Sequence, residues 1–321
     1  MQGEINPQLL SSDDKWILLK LDIAIAEITE ALNTYNFSIA VQALYRFFWS
    51  EYCDWYVEAS KAILSGSSRR ESAQSPTEGK PDRSGLTSAA TNDEARRANT
   101  LAVIDFVLSH TLRLFHPFLP FITEELWHGM GYSEDMPDDQ GGKTIMYAHW
   151  PKPFDEDFKG HYGLDDCYLD MVNAKYDLVT QGRNLRRAGN ISAGKKVKFI
   201  YKPVNFTPPN DLEVIKLLLN AEALEVNADY QAPKGTPTAR TELGEIFLPL
   251  EGHVDVAAEK IRLTKEKEKL QSDIEKNQQK LANPNFVQKV PPQVLAEHQQ
   301  RELDYKAKLE HVLEALKALE G

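Results

Sequence analysis

The residues best suited to chemistry are a cluster of cations in the middle of the chain. Three arginines spaced three and four positions apart share one face of a predicted helix, and three lysines follow them closely. Fixed guanidinium and ammonium groups on one surface neutralise backbone phosphates and release counterions. We interpret the cluster as a phosphate-contacting patch, with an ordinary solvated face as the alternative. Its members are Arg183, Arg186, Arg187, Lys195, Lys196 and Lys198.

A nucleotide-binding loop is the most tempting alternative in the same region. Residues 189–196 read GNISAGKK, which matches the phosphate-cradling pattern GxxxxGK but lacks the Ser or Thr that would hold magnesium. A P-loop leads from a strand into a helix, whereas this string follows a predicted helix and enters a predicted strand. We therefore predict no nucleotide site here.

Metal-binding and catalytic patterns are missing from the sequence. His110 and His116 fall on different helix faces, and no HExxH spacing occurs among the eight histidines. Cys53 and Cys167 are far apart and form no CxxC, which argues against a disulfide framework. We predict no catalytic and no metal-binding residues, and we interpret both cysteines as buried small apolar residues.

The overall charge excludes a bulk polycation. The 321 residues include 37 basic and 48 acidic side chains, a net charge of −11. Residues 255–321 are neutral, so the acidic excess lies in the first 254 residues, and any nucleic acid must be bound through local patches. No stretch approaches the length and apolarity of a membrane span, and the N-terminus does not resemble a signal peptide. We expect a soluble, cytoplasmic protein.

Apolar periodicity predicts a helical bundle over residues 1–163. Ser11 and Asp14 resemble a capping box, and Gly129 suits the left-handed position that ends a helix. A Ser-rich insertion at 65–91 lacks large apolar side chains and is predicted to be disordered. The predicted helices run from 11 to 32, from 37 to 59, from 92 to 115 and onward from 120.

Two further units are predicted after the bundle. Residues 164–254 read as a small mixed α/β unit, with helices at 165–187 and 211–220 and strands at 196–201 and 245–250. Residues 255–321 carry heptad repeats broken by prolines, which predicts an antiparallel coiled-coil hairpin. The fold class is therefore mainly α, with a bundle, a small α/β unit and a projecting arm.

Several strings resemble the C-terminal portion of bacterial valyl-tRNA synthetase, a class I enzyme. The bundle strings are YNF at 35–37, YRFFWSEYCDWYVE at 45–58 and LRLFHPFLPFITEELW at 112–127. In the rest of the chain, LPLEG at 248–252 and KLANPNFV at 280–287 resemble the entry to the family's arm and its turn. The resemblance covers nearly the whole chain apart from the Ser-rich insertion.

The resemblance implies an anticodon-binding bundle and an arm that reaches the corner of the tRNA. The implied partner is valine tRNA, with no DNA and no membrane, and the implied state is a monomer. The family attaches valine to tRNA with ATP and magnesium on a catalytic domain marked by HIGH and KMSKS signatures, which this sequence lacks. The chain itself is therefore expected to bind without catalysing and to need no cofactor.

The resemblance extends the proposed tRNA contacts to the arm. The cations expected to contact tRNA there are Arg262, Lys265, Lys269 and Lys289, and Phe286 near the turn could stack on an exposed base pair or merely close the turn. A coiled-coil protein-interaction module without RNA binding is the alternative. The mixed seam, with Lys260, Lys267 and Asn277, argues against a strong oligomer.

Overall fold

The computed structural model describes most of the chain. The described residues are 4–65, 83–132, 144–192, 194–204, 207–233, 235–249 and 256–282, together with 305, 306, 309 and 313.

Within the described residues, five α-helices and one π-helical segment form the bundle. They are α1 (Ser12–Asn33), α2 (Phe37–Tyr45), the π segment (Arg46–Val57), α3 (Glu58–Leu64), α4 (Arg83–Phe115) and α5 (Pro120–Met130). Helix α1 is central, since it packs against α2, the π segment and α4. A helix this apolar on several sides is buried by its neighbours, and Ile17, Leu21, Ile25 and Ile28 are fully buried.

The helix ends follow from local chemistry. The Ser11 side chain accepts a hydrogen bond from the Asp14 N–H while the Asp14 carboxylate accepts one from the Ser11 N–H, so the predicted capping box is confirmed. Helix α4 ends at Phe115, before Pro117, as predicted. The left-handed residue after α5 is Gly131 (φ 73°) and not Gly129, which lies inside the helix, so that assignment was wrong.

The predicted second helix is continuous but changes its period. In the π segment the hydrogen bonds span five residues, so inward-facing positions recur more widely than in an α-helix. Phe47, Tyr52 and Tyr56 are buried at spacings of five and four. Phe37 and Val41, which the α-helical stripe placed in the core, are instead about half exposed.

Two other expectations are corrected in this part of the chain. Helix α4 begins at Arg83, so residues 83–91 of the predicted disordered insertion are helical. Residues 66–82 lie outside the described residues. The cysteines are not buried either, because Cys53 is half-buried and Cys167 is exposed.

A connector leads from the bundle to the α/β unit. It contains a 3-10 turn (Ile145–Tyr147) and α6 (Glu156–Tyr162), which is capped by the Asp155 side chain. Long-range bonds hold the connector to α1, among them the Lys159–Asp22 ion pair (2.9 Å). The Trp150 indole donates to the Thr29 hydroxyl (2.8 Å), and the Phe154 N–H donates to the Asp22 carboxylate (2.6 Å).

The α/β unit contains two helices and a four-stranded sheet of order β2-β1-β4-β3. Its elements are α7 (Cys167–Ala188), β1 (Val197–Pro203), α8 (Pro209–Leu218), β2 (Ala221–Val226), β3 (Thr238–Thr241) and β4 (Gly244–Phe247). β1 and β2 are parallel, and the other pairs are antiparallel. The two predicted helices and two predicted strands are present, whereas the edge strands β2 and β3 were not predicted.

Helix α7 belongs to both units. It packs against α1 on one side and against β3, β4 and α8 on the other, and a single hydrophobic cluster runs from the bundle into the sheet. A small sheet of this size needs such a shared core because it cannot bury enough apolar surface alone.

A buried charge network lies where α7 meets the first turns of α1 and α8. The Lys175 ammonium lies 2.8 Å from the carboxylates of both Asp13 and Asp211, and all three side chains are almost fully buried. The Tyr176 hydroxyl also donates to Asp13 (2.6 Å). Burial, reinforced by the neighbouring Asp13 charge, raises the pKa of Tyr176 well above its usual range, so this hydroxyl stays a donor.

The predicted arm begins with helix α9 (Val256–Ala282). Its buried positions, Leu270, Ile274 and Asn277, follow the predicted heptad seam. Positions 305, 306, 309 and 313 of the predicted second arm helix are helical. The turn and the rest of that helix lie outside the described residues, so the antiparallel hairpin stays a prediction.

Replacing Lys175 by methionine tests the network. Removing the cation leaves two buried carboxylates unpaired, so Lys175→Met should lower the free energy of unfolding by about 3–5 kcal/mol in chemical denaturation. Lys159→Met is the matched control, because Lys159 pairs with Asp22 at 2.9 Å on a partly exposed surface and should cost less than about 1 kcal/mol. Equal losses in the two variants would contradict the assigned role of the network.

Candidate functional site

Arg183 of α7 is directed at the C-terminal end of α8. Its Nε and Nη2 groups donate to the Leu218 carbonyl oxygen at 3.1 and 2.9 Å. Its guanidinium carbon lies 5.2 Å from the centre of the Trp55 ring, which itself stacks on Tyr176 at 4.4 Å. Carbonyls at a helix end lack intrahelical partners and carry partial negative charge, so Arg183 caps α8.

Arg186 caps the same end one turn further along α7. It is 5% exposed, and its Nη1 group donates to the carbonyl oxygens of Leu219 and Asn220. Its Nη2 group donates to the carbonyl oxygens of Ser192 (2.9 Å) and Lys195 (2.5 Å) in the following loop. Burial lowers the pKa of both Arg183 and Arg186, but a guanidinium stays charged near neutral pH.

The predicted arginine face is therefore divided. Arg183, Arg186 and Arg187 lie at neighbouring positions of one helix, as the spacing predicted. However, the part of the helix that carries Arg183 and Arg186 packs against α8. Arg187, the third arginine of this group, is exposed. The prediction that all three present their charge to a ligand fails for Arg186, whose buried donors are directed at backbone carbonyls.

The lysines after α7 also differ from one another. Lys195 and Lys196 are exposed on the 189–196 loop, which we call the basic loop. Lys198 lies on β1 and forms an ion pair with Glu225 of β2 (2.6 Å), which raises its pKa and neutralises its field locally. We call Arg187, Lys195 and Lys196, which are exposed at the end of α7 and on the basic loop, the loop cations.

The basic loop does not have the geometry of a nucleotide-binding loop. A P-loop turns its N–H groups toward phosphate, whereas here the Ser192 and Lys195 carbonyls point at Arg186 and the Lys195 N–H bonds to Ser192. Within the described part of the chain, no group of His, Cys, Asp and Glu side chains could hold a metal ion. That the chain itself needs no cofactor stays a prediction.

Two of the cations predicted on the arm are exposed in the described part of the chain. Lys265 and Lys269 of α9 are exposed and lie off the buried seam. The Arg262 side chain, Phe286 and Lys289 lie outside the described residues, so their proposed contacts cannot be placed.

An aromatic pair on the bundle surface was missed by the sequence analysis. Tyr45 and Trp49 are 61% and 49% exposed, and their ring centres lie 6.2 Å apart. The Trp49 ring also touches Phe48, which packs on Phe115 in the bundle. The sequence analysis did not single out these two residues, because it interpreted the aromatic residues of this string as packing residues of the bundle.

Other aromatic residues of the same strings do pack inside the protein. Trp127 is fully buried with Tyr132 and Leu112 in a small second core, and Trp55 is half-buried between Tyr176 and Arg183. The expectation that these tryptophans are not exposed stacking surfaces agrees with their position.

Comparison with known families identifies the class of the protein. A family model described as "Anticodon-binding domain of tRNA ligase" matches residues 14–78 and 84–201, which covers the bundle, α7 and β1. A second, described as "Valyl tRNA synthetase tRNA binding arm", matches residues 255–320. The chain therefore belongs to the family of tRNA ligase anticodon-binding domains.

The relatives are named valine–tRNA ligases. The chain is 30% identical over 312 residues to the enzyme of Bacillus subtilis, 31% identical over 310 residues to that of Listeria monocytogenes, and 32% identical over 299 residues to that of Thermotoga maritima. These alignments cover 93–96% of this chain but only 29–31% of the relatives. The predicted resemblance to the C-terminal portion of valyl-tRNA synthetase is confirmed.

The alignments leave the rest of the relatives outside this chain. The chain spans about a third of the length of the valine–tRNA ligases it matches. Among the described helices, none has the length and apolarity required to cross a membrane.

Substituting the α7 arginines separates capping from surface charge. Arg183→Met removes two charge-assisted hydrogen bonds and the Trp55 contact, so it should lower the free energy of unfolding by about 1–3 kcal/mol. Arg187→Met should change it by less than about 0.5 kcal/mol because the side chain is exposed. Urea denaturation of both variants measures the difference, and similar losses would show that Arg183 does not act as a cap.

Proposed function

We propose that this chain binds tRNA as part of a valine–tRNA ligase, with valine tRNA as the partner and a single copy of the chain as the binding unit. The observation that carries the proposal is the pair of family matches, one to an anticodon-binding domain over the bundle and one to a tRNA binding arm over α9. Attachment of valine with ATP and magnesium would then belong to the part of the relatives outside this chain.

The loop cations would supply phosphate contacts. Arg187, Lys195 and Lys196 are exposed and follow one another across the end of α7 and the basic loop. In a chain with a net charge of −11, such a patch gives a local attraction for a polyanion that the whole protein does not have. Lys265 and Lys269 would add a second, separate contact along the arm.

The exposed aromatic pair would supply a surface for unpaired bases. Anticodon bases are not held in a duplex, so they can stack on aromatic side chains, and such stacking is tolerant of sequence. Tyr45 and Trp49 present ring surface to solvent from a helix that is fixed by buried Phe47 and Tyr52. A rigid platform of this kind loses little conformational entropy on binding.

A coiled-coil protein-interaction module is not favoured by these comparisons. The arm matches a family whose description names tRNA binding, and the bundle matches an anticodon-binding family. Salt dependence separates the two functions, since phosphate contacts weaken steeply as salt rises, whereas apolar helix packing does not.

Neutralising two loop cations tests the phosphate contacts. The Arg187→Gln, Lys196→Gln double variant should bind valine tRNA more weakly than the wild type, and the slope of log affinity against log salt should become shallower by about two. Filter binding across a salt series measures both quantities. Lys198→Gln is the control, because its charge is already paired with Glu225 and should contribute less. An unchanged slope in the double variant would contradict the proposed contact.

Removing the aromatic face of Trp49 tests the stacking platform. Trp49→Leu should weaken binding of an anticodon stem-loop RNA by about 1–3 kcal/mol without changing the salt slope, because stacking involves no counterion release. Trp49→Phe keeps an aromatic face and should retain most of the affinity. Equal affinities for the leucine and phenylalanine variants would show that the ring does not stack on RNA.

A further inference from the structure

We propose that Arg186 is a positioning residue that fixes the basic loop in the conformation that presents Lys195 and Lys196 to RNA phosphates. The proposal rests on the proposed function, and it assigns a role to a side chain that cannot itself reach RNA. Arg186 is 5% exposed, and its guanidinium lies beneath the loop.

One amino group of Arg186 holds both ends of a tight turn. The Lys195 N–H donates to the Ser192 carbonyl at 3.1 Å, which closes the turn. The Nη2 group of Arg186 donates to that same Ser192 carbonyl (2.9 Å) and to the Lys195 carbonyl (2.5 Å). Because Nη2 carries two protons, it can serve both carbonyls at once.

The other amino group of Arg186 anchors the loop to a rigid part of the fold. Its Nη1 group donates to the carbonyls of Leu219 and Asn220, where α8 ends and β2 begins. Leu219 is buried against α7, since a Cβ placed on Gly182 would lie 2.5 Å from its Cδ2 atom. The guanidinium therefore bridges a fixed helix end and the basic loop.

The loop needs this bridge because its own sequence does little to order it. It contains Gly189 and Gly194, and glycine loses more conformational freedom on ordering than other residues. A Cβ placed on Gly194 meets nothing within 4 Å, so side-chain packing does not restrain the turn there. The hydrogen bonds from Arg186 to the Ser192 and Lys195 carbonyls therefore fix the part of the loop that carries the two lysines, beyond the packing of Ile191 on the core.

A double-mutant cycle tests whether Arg186 acts through the lysines. Arg186→Lys keeps the charge but replaces a planar fork with a single ammonium, which cannot reach two separate pairs of carbonyls. In filter binding of valine tRNA transcript, this variant of the full chain should lose about threefold in affinity, and its salt slope should become shallower by about one. In a Lys195→Gln, Lys196→Gln background the same substitution should change neither quantity.

The cycle distinguishes positioning from general structural support. If Arg186→Lys costs the same in both backgrounds, Arg186 does not act through Lys195 and Lys196 and the proposal is wrong. Arg183→Lys is the matched control, because Arg183 caps the same end of α8 at Leu218 without a bond to the basic loop. It should leave the salt slope at the wild-type value.

Hydrogen exchange on the wild-type chain gives a second test that needs neither a variant nor RNA. The Lys195 amide should exchange more slowly than in an unstructured peptide, because its turn is held in the free protein. Exchange at the peptide rate would overturn the proposal, even if Arg186→Lys did not fold. Wild-type protein that showed a protected loop but no salt-dependent tRNA binding would instead contradict the proposed function.

Discussion

The placement of α7 depends on one buried ammonium group. Lys175 reaches carboxylates at the first turn of α1 and the first turn of α8, so it ties the bundle and the α/β unit to the same helix. Burying three charges costs desolvation, and the interaction repays this only in a narrow geometry. We interpret the network as a source of specificity, because the pairing of Lys175 with both carboxylates favours one rotation and one register of α7, which also carries the arginines two and three turns further along.

The orientation of α7 also explains why some basic residues of the sequence do not present their charge at the surface. Helix α8 ends against α7, and its terminal carbonyls need donors that water cannot supply in a packed interface. Arginine suits this position because its planar fork can donate to several carbonyls, as Arg183 and Arg186 do. Arg187, Lys195 and Lys196 are exposed, and Arg183 also keeps solvent exposure while its guanidinium caps α8.

The sequence predicted elements well where the cause was local. The capping box at Ser11 and the end of α4 before Pro117 follow from chemistry within one turn. The α-helical period did not give all inward positions of the aromatic helix, because Phe37 and Val41 of α2 are exposed whereas Phe47 and Tyr56, which lie off that period, are buried. Strands β2 and β3 were missed because they are edge strands, with too few buried positions to show an alternating pattern.

The candidate site shows a similar division. Residue types in the sequence indicated where the site lies, but the packing of the fold determines which of those side chains are accessible. Spacing found all the cations near 183–198 but not the carbonyls at Leu218 and Leu219, which lie more than 30 residues away in sequence. The aromatic pair was missed for the opposite reason: Tyr45 and Trp49 resemble core residues in type but are exposed in the fold.

A protein of net charge −11 does not attract a polyanion over long distances by its total charge, so the proposed tRNA binding would have to come from short-range contacts held in fixed positions. Two kinds of contact meet this constraint in different ways. In the proposed binding mode, a lysine loop held by a buried guanidinium would give phosphate contacts a defined position, and a ring pair on a helix anchored by Phe47 and Tyr52 would do the same for base stacking. The phosphate contacts would weaken with salt and the stacking would not, so the acidic surface around them would oppose nucleic acids that engage neither group.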